Sequence, residues 1–221
     1  MPKITPMRLL RVPAPLSNPD LTWEIKLDGF RALAFIENGR CTFVSRNGHT
    51  FKSWPSLCEQ MVKTVRCRSA ILDEEVVCLD ADGRANFRNV LFRRQAPHFV
   101  PFDLLACDGE DVTQLPLIER KARLRRMVRG SGPVMFLDGI RGRGPDLFRE
   151  ACRRDIEGIV GKHVAGTRDP SAISWNTLRD ALAGAKRQPS NSCSPRGCHG
   201  SGVAMRRRFV TRANAFSRTA A

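Results

Sequence analysis

Two Asn-Gly pairs, Asn38-Gly39 and Asn47-Gly48, constrain the fold of this chain more than any other feature. Asn-Gly tolerates the left-handed backbone that a tight hairpin turn demands. Around the first pair, Arg31 to Ile36 and Cys41 to Ser45 read as two strands joined through Glu37-Asn38-Gly39-Arg40. Thr22 to Lys26 reads as an earlier strand, and Asp28-Gly29 marks the turn after it. Downstream, Ser53 to Val65 predicts a helix with Pro55 near its first turn. Ala70 to Leu79 predicts a strand closed by Asp80-Ala81-Asp82-Gly83, and His98 to Cys107 another. Ile118 to Val128 reads as a basic amphipathic helix, Val134 to Leu137 as a short strand, Pro145 to Arg154 as a helix and Gly158 to Lys162 as a strand. Strands dominate the first half and helices interleave later, an α+β pattern rather than a βαβ repeat.

The chain has 221 residues, of which 42% are hydrophobic and 27% charged. A chain of this size buries roughly 70% of its extended surface on folding. No apolar run approaches the roughly 20 residues that span a bilayer, and the start lacks the apolar core of a secretory signal. The expectation is a soluble, cytoplasmic, monomeric protein with no membrane partner. Its formal net charge of +15 favours polyanions, meaning nucleic acid or nucleotide phosphates. About half of that excess lies at the end: from Arg179 onward there are nine Lys/Arg against one acid. Residues 179–221 are rich in Ser, Gly, Pro and Arg and lack periodicity, so they read as a disordered basic tail attached to a folded unit over 1–178. The eight cysteines form no Cys-x-x-Cys pair and read as reduced core residues, and Cys193, Cys198 and His199 are not expected to hold metal.

Glu24, Lys26 and Asp28 stand at spacing two, followed by Gly29 and Arg31. Residues two apart in a strand face the same side, so Glu24 and Lys26 project together. Lysine becomes a nucleophile when burial or neighbouring cations lower its pKa; nearby carboxylates oppose this unless a metal offsets them. Taken alone the segment is better described as a solvated charged strand.

Lys26-Leu27-Asp28-Gly29-Phe30-Arg31 resembles motif I, Lys-x-Asp-Gly-x-Arg, of the covalent nucleotidyltransferases, which include ATP-dependent DNA ligases, RNA ligases and mRNA-capping enzymes. Four further segments resemble that family's motifs in its order: Ser45-Arg46-Asn47-Gly48; Leu72-Asp73-Glu74-Glu75-Val76 (motif III); Phe102-Asp103-Leu104-Leu105 (motif IIIa); and Glu157-Gly158-Ile159-Val160-Gly161-Lys162 (motif IV). Each alone is weak and each residue has an ordinary structural reading; five in order over roughly residues 22 to 178 are strong. Asp108-Gly109-Glu110-Asp111 and Leu115 to Lys121 make the chain most similar to small bacterial ATP-dependent DNA ligases.

The resemblance implies an ATP-grasp-like adenylation domain with antiparallel sheets and flanking helices. It implies that Lys26 attacks the α-phosphate of ATP and forms a lysyl-AMP. Glu24, Arg31, Arg46, Glu75, Phe102 and Lys162 would bind the nucleotide, with Glu24 reading adenine, Phe102 stacking on it, and Arg31 and Lys162 on phosphate or ribose. Glu75 and Glu157 would lie near Mg²⁺ or Mn²⁺. The implied partners are nicked double-stranded DNA and DNA end-binding repair proteins, in repair or recombination.

The pattern departs from the family in three places. Motif V, usually Trp-x-Lys-x-Lys, reads Trp175-Asn176-Thr177-Leu178-Arg179. Losing a charged transition-state contact costs about 10²–10³ in rate, so adenylation is expected to be weakened. Glu74 replaces the Gly of motif III, and beyond Trp175 the likeness stops, as it would if the reading frame had drifted; no OB-fold sequence follows. The alternatives are an RNA ligase or other nucleotidyltransferase of the same fold, and a catalytically dead nucleic-acid-binding remnant.

Overall fold

The structure, a computed structural model, describes residues 9–128, 132–168 and 175–179, the last as backbone only, together with Ile4 and Met7. The side chains of Thr177 and Arg179 and the tail from 180 onward, with Cys193, Cys198 and the proposed frame change, lie outside the described residues.

In chain order the elements are β1 (Leu9–Arg11), β2 (Leu21–Lys26), β3 (Phe30–Glu37), β4 (Arg40–Ser45), α1 (Pro55–Thr64), β5 (Ser69–Val77), α2 (Phe87–Leu91), β6 (His98–Cys107), β7 (Glu110–Asp111), α3 (Leu117–Met127), β8 (Ile140–Arg141), α4 (Gly144–Arg153), β9 (Gly158–His163) and β10 (Trp175–Arg179). They build two five-stranded sheets, one ordered β1-β10-β9-β2-β8 and the other β4-β3-β5-β6-β7. All pairings are antiparallel except β1 with β10. The α+β reading holds, and the β3–β4 hairpin turns where Asn38-Gly39 places it. Asn38 and Gly39 both have positive φ, 51° and 69°, so the turn matches the twist of its strands.

One expected strand is not a strand. Val134 to Leu137 lies parallel to β6 and makes only part of a ladder: Phe99 N–H bonds Pro133, Met135 N–H bonds Phe99, and Leu137 N–H bonds Pro101. The next rung would need an N–H from Pro101, which has none. The elements that the sequence left unread, β1, α2, β7, β8 and β10, are all five residues or shorter.

The layers follow from where the apolar residues fall. The outer face of the β4-β3-β5-β6-β7 sheet packs on α1 and α3 through Phe43, Leu57, Met61, Leu72, Val76, Leu104 and Leu124. The other sheet backs onto α4 through Leu21, Trp23, Ile159 and Ala151. Between the sheets lies a smaller apolar floor of Met7, Val77, Val100, Phe102, Leu137 and Val160. None of the helices among the described residues is long and apolar enough to cross a membrane. The six described cysteines are free thiols; only Cys78 is fully buried, and the rest are partly buried.

Charge, not only apolar contact, joins the layers. Asp73 on β5 and Asp103 on β6 are register partners and both are buried. Arg31 of β3 grips Asp73 with two bonds, 2.9 and 2.7 Å. Arg168, beyond β9, bonds the same carboxylate at 2.7 Å and lies 3.8 Å from Asp103. Arg120 of α3 grips Asp103 at 2.8 and 3.1 Å. Its neighbour Lys121 reaches into the other sheet, to Glu24 of β2 at 2.6 Å. The basic helix therefore spends two of its cations on buried carboxylates, one in each sheet.

Glu74 faces the opposite way. Its strand neighbours on that face, Leu72 and Val76, belong to the apolar core, and both its oxygens are buried without a hydrogen-bond partner among the described residues. Burial, then the charges of Asp73, Glu75 and the Cys58 thiol, push its pKa well above the ordinary value.

Two outcomes follow from these buried charges. Folded Glu74 holds its proton to higher pH than an unfolded glutamate, so stability is greatest below the ordinary carboxylate range and falls as pH climbs toward neutral. Glu74→Leu should raise stability at neutral pH by about 1–3 kcal/mol and flatten that decline, read from urea midpoints between acid and neutral pH. Asp73→Ala takes the 2.7 Å carboxylate partner from Arg168, which is 5% exposed, and the two-bond partner from Arg31; the same midpoints should show a loss of roughly 3–5 kcal/mol.

Candidate active site

The Asp28-Gly29 turn sets the site. A Cβ at Gly29 would lie 2.2 Å from the Val76 carbonyl oxygen and 2.8 Å from Val77 Cγ1, so only glycine lets the loop after β2 press onto β5. That contact brings Lys26, at the end of β2, to the seam between the two sheets. Lys26 Nζ is hydrogen-bonded to Glu157 Oε1, from the residue just before β9. The pairing follows from register, because Lys26 lies opposite Gly158. Lys26 and Glu157 remain partly open, at 18% and 22% side-chain exposure, so a substrate can reach them.

Glu24, two residues earlier, is 2% exposed. Its oxygens are shared between Lys121 and Lys162, each at 2.6 Å. Burial alone would raise its pKa, but the two ammonium groups outweigh it and hold Glu24 ionised below the usual range. Lys162 is equally buried; burial depresses its pKa and Lys121 adds to that, while Glu24 opposes. Its ammonium lies 4.5 Å from the centre of the Phe102 ring, and the Arg31 guanidinium 5.5 Å from it. Both distances suit cation–π contact. Phe102 is thus both a floor residue and the aromatic face of the site, so the core reading and the functional reading of this residue coexist.

Glu75 pairs in register with Arg31. Burial raises its pKa to about 8; Arg31 and Lys26 pull it down, while Asp73 and Asp28 push it up. For Asp73, burial is outweighed by Arg31 and then Arg168, which hold it below the usual range. For Arg31 the carboxylate of Asp73 outweighs burial and raises the pKa. Arg46 is exposed and, with Arg31, Ser45, Asp73 and Arg168, lines a shallow cleft.

The candidates thus fall into one region in three groups: Lys26 with Glu157 and Glu75; Glu24 with Lys162 and Phe102; Arg31 with Arg46. Sequence reasoning gave no role to Asp73, Asp103, Arg120, Lys121, Arg168 or Met7, whose carbonyl accepts a 3.4 Å bond from Arg31. For the two aspartates a signal existed: each is a charge inside an apolar strand segment, which if buried must be paired. Arg168 carries no such signal. The donors near Lys26 are carboxylate oxygens, which suit a hard cation. No group of three or more His, Cys, Asp or Glu in metal-holding geometry occurs among the described residues.

A model of the ATP-dependent DNA ligase domain matches residues 11–178. The multifunctional non-homologous end joining protein LigD of Pseudomonas aeruginosa is 31% identical over 168 residues, covering 72% of this chain and 20% of that protein. A DNA ligase of Pyrobaculum calidifontis is 32% identical over 176 residues, covering 71% and 30%. The SPbeta prophage-derived DNA ligase-like protein LigB of Bacillus subtilis is 26% identical over 183 residues, covering 80% and 66%. The chain spans less than a third of the first two relatives. Among solved structures, mycobacterial DNA ligase D complexed with ATP and MES superposes with a TM-score of 0.69 at 22% identity, covering 80% of this chain and 60% of that one, and so shares the fold. With the matched domain covering most of its length, the chain belongs to the ATP-dependent DNA ligase domain family.

Proposed function

We propose that this chain is the nucleotide-accepting domain of an ATP-dependent DNA ligase, with Lys26 as the nucleophile. The observation that carries the reading is the Lys26–Glu157 contact at the open end of a seam otherwise closed by buried ion pairs. Lys26 Nζ attacks the α-phosphorus of ATP, an N–P bond forms, the bond to the bridging oxygen breaks, and pyrophosphate leaves. The proton that the ammonium must shed passes along the existing hydrogen bond to Glu157 and on to solvent, to which both side chains are partly open, so the carboxylate is ionised again. Phe102 offers its ring to adenine, and Glu24 presents a fixed anion beside that ring through Lys162. Arg31, held in place by Asp73, meets ribose or phosphate oxygen, and Arg46 adds charge at the rim. Such groups act by positioning and by charge set in place before reaction.

Glu157 and Glu75 are the residues that would hold Mg²⁺ or Mn²⁺, which neutralises phosphate charge when bound with ATP. A cation beside Glu75 would favour its ionised form over the protonated one that burial favours. In the later steps AMP passes to the 5′-phosphate of nicked double-stranded DNA and the 3′-hydroxyl displaces it. The net charge and the names of the relatives support DNA as that substrate. The same names support a setting in repair or recombination, with DNA end-binding proteins as partners.

The strand that would carry motif V is in place as backbone: β10 runs antiparallel to β9, with Thr177 opposite Val160. The domain thus keeps the motif V position but not its lysine, and we read adenylation as slowed rather than lost.

Intact-protein mass after incubation with ATP and Mg²⁺ tests the reading. The wild type should gain one AMP, Lys26→Ala none, and Glu157→Gln should gain it markedly more slowly. Thr177→Lys should accelerate the gain by about 10²-fold. A folded wild-type chain that gains nothing, with Thr177→Lys equally inert, would sink the assignment.

A further inference from the structure

The segment from Arg84 to Gln95 contains four arginines and no acid. Arg84 is spent on Asp80 and Asp82. Arg88, Arg93 and Arg94 are exposed and form no ion pair among the described residues. Between them Leu91 and Phe92 stand in solvent at 47% and 58% exposure, among the most exposed large apolar side chains described. Arg94 lies over the Phe92 ring at 5.2 Å, so cation and ring are presented together. Arg93 has a positive φ of 52°, a left-handed conformation that is unfavourable for a residue with a side chain. That turn is pinned: Arg93 donates from its backbone to Val90 and from its guanidinium to Ser53 at 2.8 Å.

This surface adjoins the turn that follows the nucleophile's strand. Phe87, the first residue of α2, packs on Phe30 at 5.1 Å between ring centres, and Phe30 follows Gly29 directly. Phe51 and Trp54 complete the aromatic floor, each 6.1 Å from Phe30. Lys52, beside Ser53, is exposed and extends the charge. The turn after Lys26 and the basic rim thus share one aromatic base.

We propose that the rim formed by Arg88, Phe92, Arg93 and Arg94, with Lys52 beside it, grips the phosphate backbone of the DNA duplex that flanks the break. The chemistry recognised is a regular polyanion: a duplex carries one negative charge per roughly 1.7 Å of axis, and three exposed guanidiniums within seven residues, none in an ion pair among the described residues, suit it. Phe92 supplies an apolar face for sugar or base beside those phosphates. The contact reads no sequence, because every partner of the arginines is a phosphate. The proposal deepens the ligase reading and rests on it for the identity of the polyanion. It gives the domain a hold on DNA that is separate from the nucleotide cleft.

The test titrates a labelled nicked duplex with the full chain at several salt concentrations. In parallel, AMP capture from ATP is read by intact mass. Arg88→Gln/Arg93→Gln/Arg94→Gln should capture AMP like the wild type. Its affinity at 0.1 M salt should fall at least about tenfold, and the slope of log affinity against log salt should fall by about 3, near 0.9 per lost phosphate contact. Phe92→Ala should weaken binding several-fold with the slope unchanged. The comparison variant, Lys63→Gln/Arg66→Gln/Arg68→Gln, removes three exposed cations from the last turn of α1 and the segment that joins it to β5, and should keep the wild-type slope. Equal loss in the two triple variants would mean that net charge alone binds DNA, and no loss in the rim variant would mean that the rim is idle; either overturns the proposal. A chain that captures no AMP, as wild type and as Thr177→Lys alike, while the rim variant still loses its slope would sink the ligase reading and leave the rim standing.

Discussion

Two carboxylates side by side on neighbouring strands, Asp73 and Asp103, hold this molecule together. Both are buried, and an unpaired buried carboxylate costs several kcal/mol. Each therefore demands cations, and the fold supplies them from separate parts of the chain: Arg31 from β3, Arg120 from α3, and Arg168 from beyond β9. A layer of like charge becomes a clasp. It fixes how the two sheets stand relative to each other, and so how wide the seam between them is. The guanidinium of Arg31 ends up aimed at the site because its other partners leave it no freedom.

The same logic runs one step further along the seam. Glu24 is buried only because Lys121 and Lys162 reach it, and Lys162 is buried only because Glu24 accepts it. The group sits under the Phe102 ring, which gives the seam a rigid polar floor. Lys26 differs from these lysines in exposure, not in kind. It has one acidic partner at hand and an open side. A substrate can therefore exchange with that partner without dismantling buried charge. This division between a locked floor and an accessible lysine is what catalysis by positioned charge requires.

Glu74 shows the limit of this economy. It stands between Asp73 and Glu75, which both face the seam, and turns into the apolar core, where no described residue receives it. The strand's period of two makes that unavoidable: one face of β5 is polar and paired, and the other is core. A glycine there offers the core nothing to solvate; a glutamate holds its proton to higher pH than an exposed one. The odd residue in motif III and the odd residue in motif V are thus different kinds of departure, one a stability matter inside the sheet and the other a matter of charge at the reacting phosphate.

Much of this was legible in the residues. The hairpin followed from Asn38-Gly39, because that pair accepts positive φ at both positions. The long strands and three of the helices followed from apolar patterning, to within a residue or two. The nucleophile candidate Lys26 followed from motif order, which marked Glu157 as a metal contact and not as the hydrogen-bond partner of Lys26. The short strands did not, since two to five residues carry too little pattern, and the Val134 to Leu137 segment failed as a strand because of Pro101, a residue on its partner. What only the tertiary structure decided was pairing. Sequence marked Glu24, Lys162 and Phe102 as separate nucleotide contacts, whereas folding made them one stacked group. Nothing in local spacing tells that Arg168 will share Asp73 with Arg31, or that Lys121 will cross from one sheet to the other. Periodicity reports which face a side chain takes; which distant charge it meets there depends on long-range register, and that exists only once the sheets have formed.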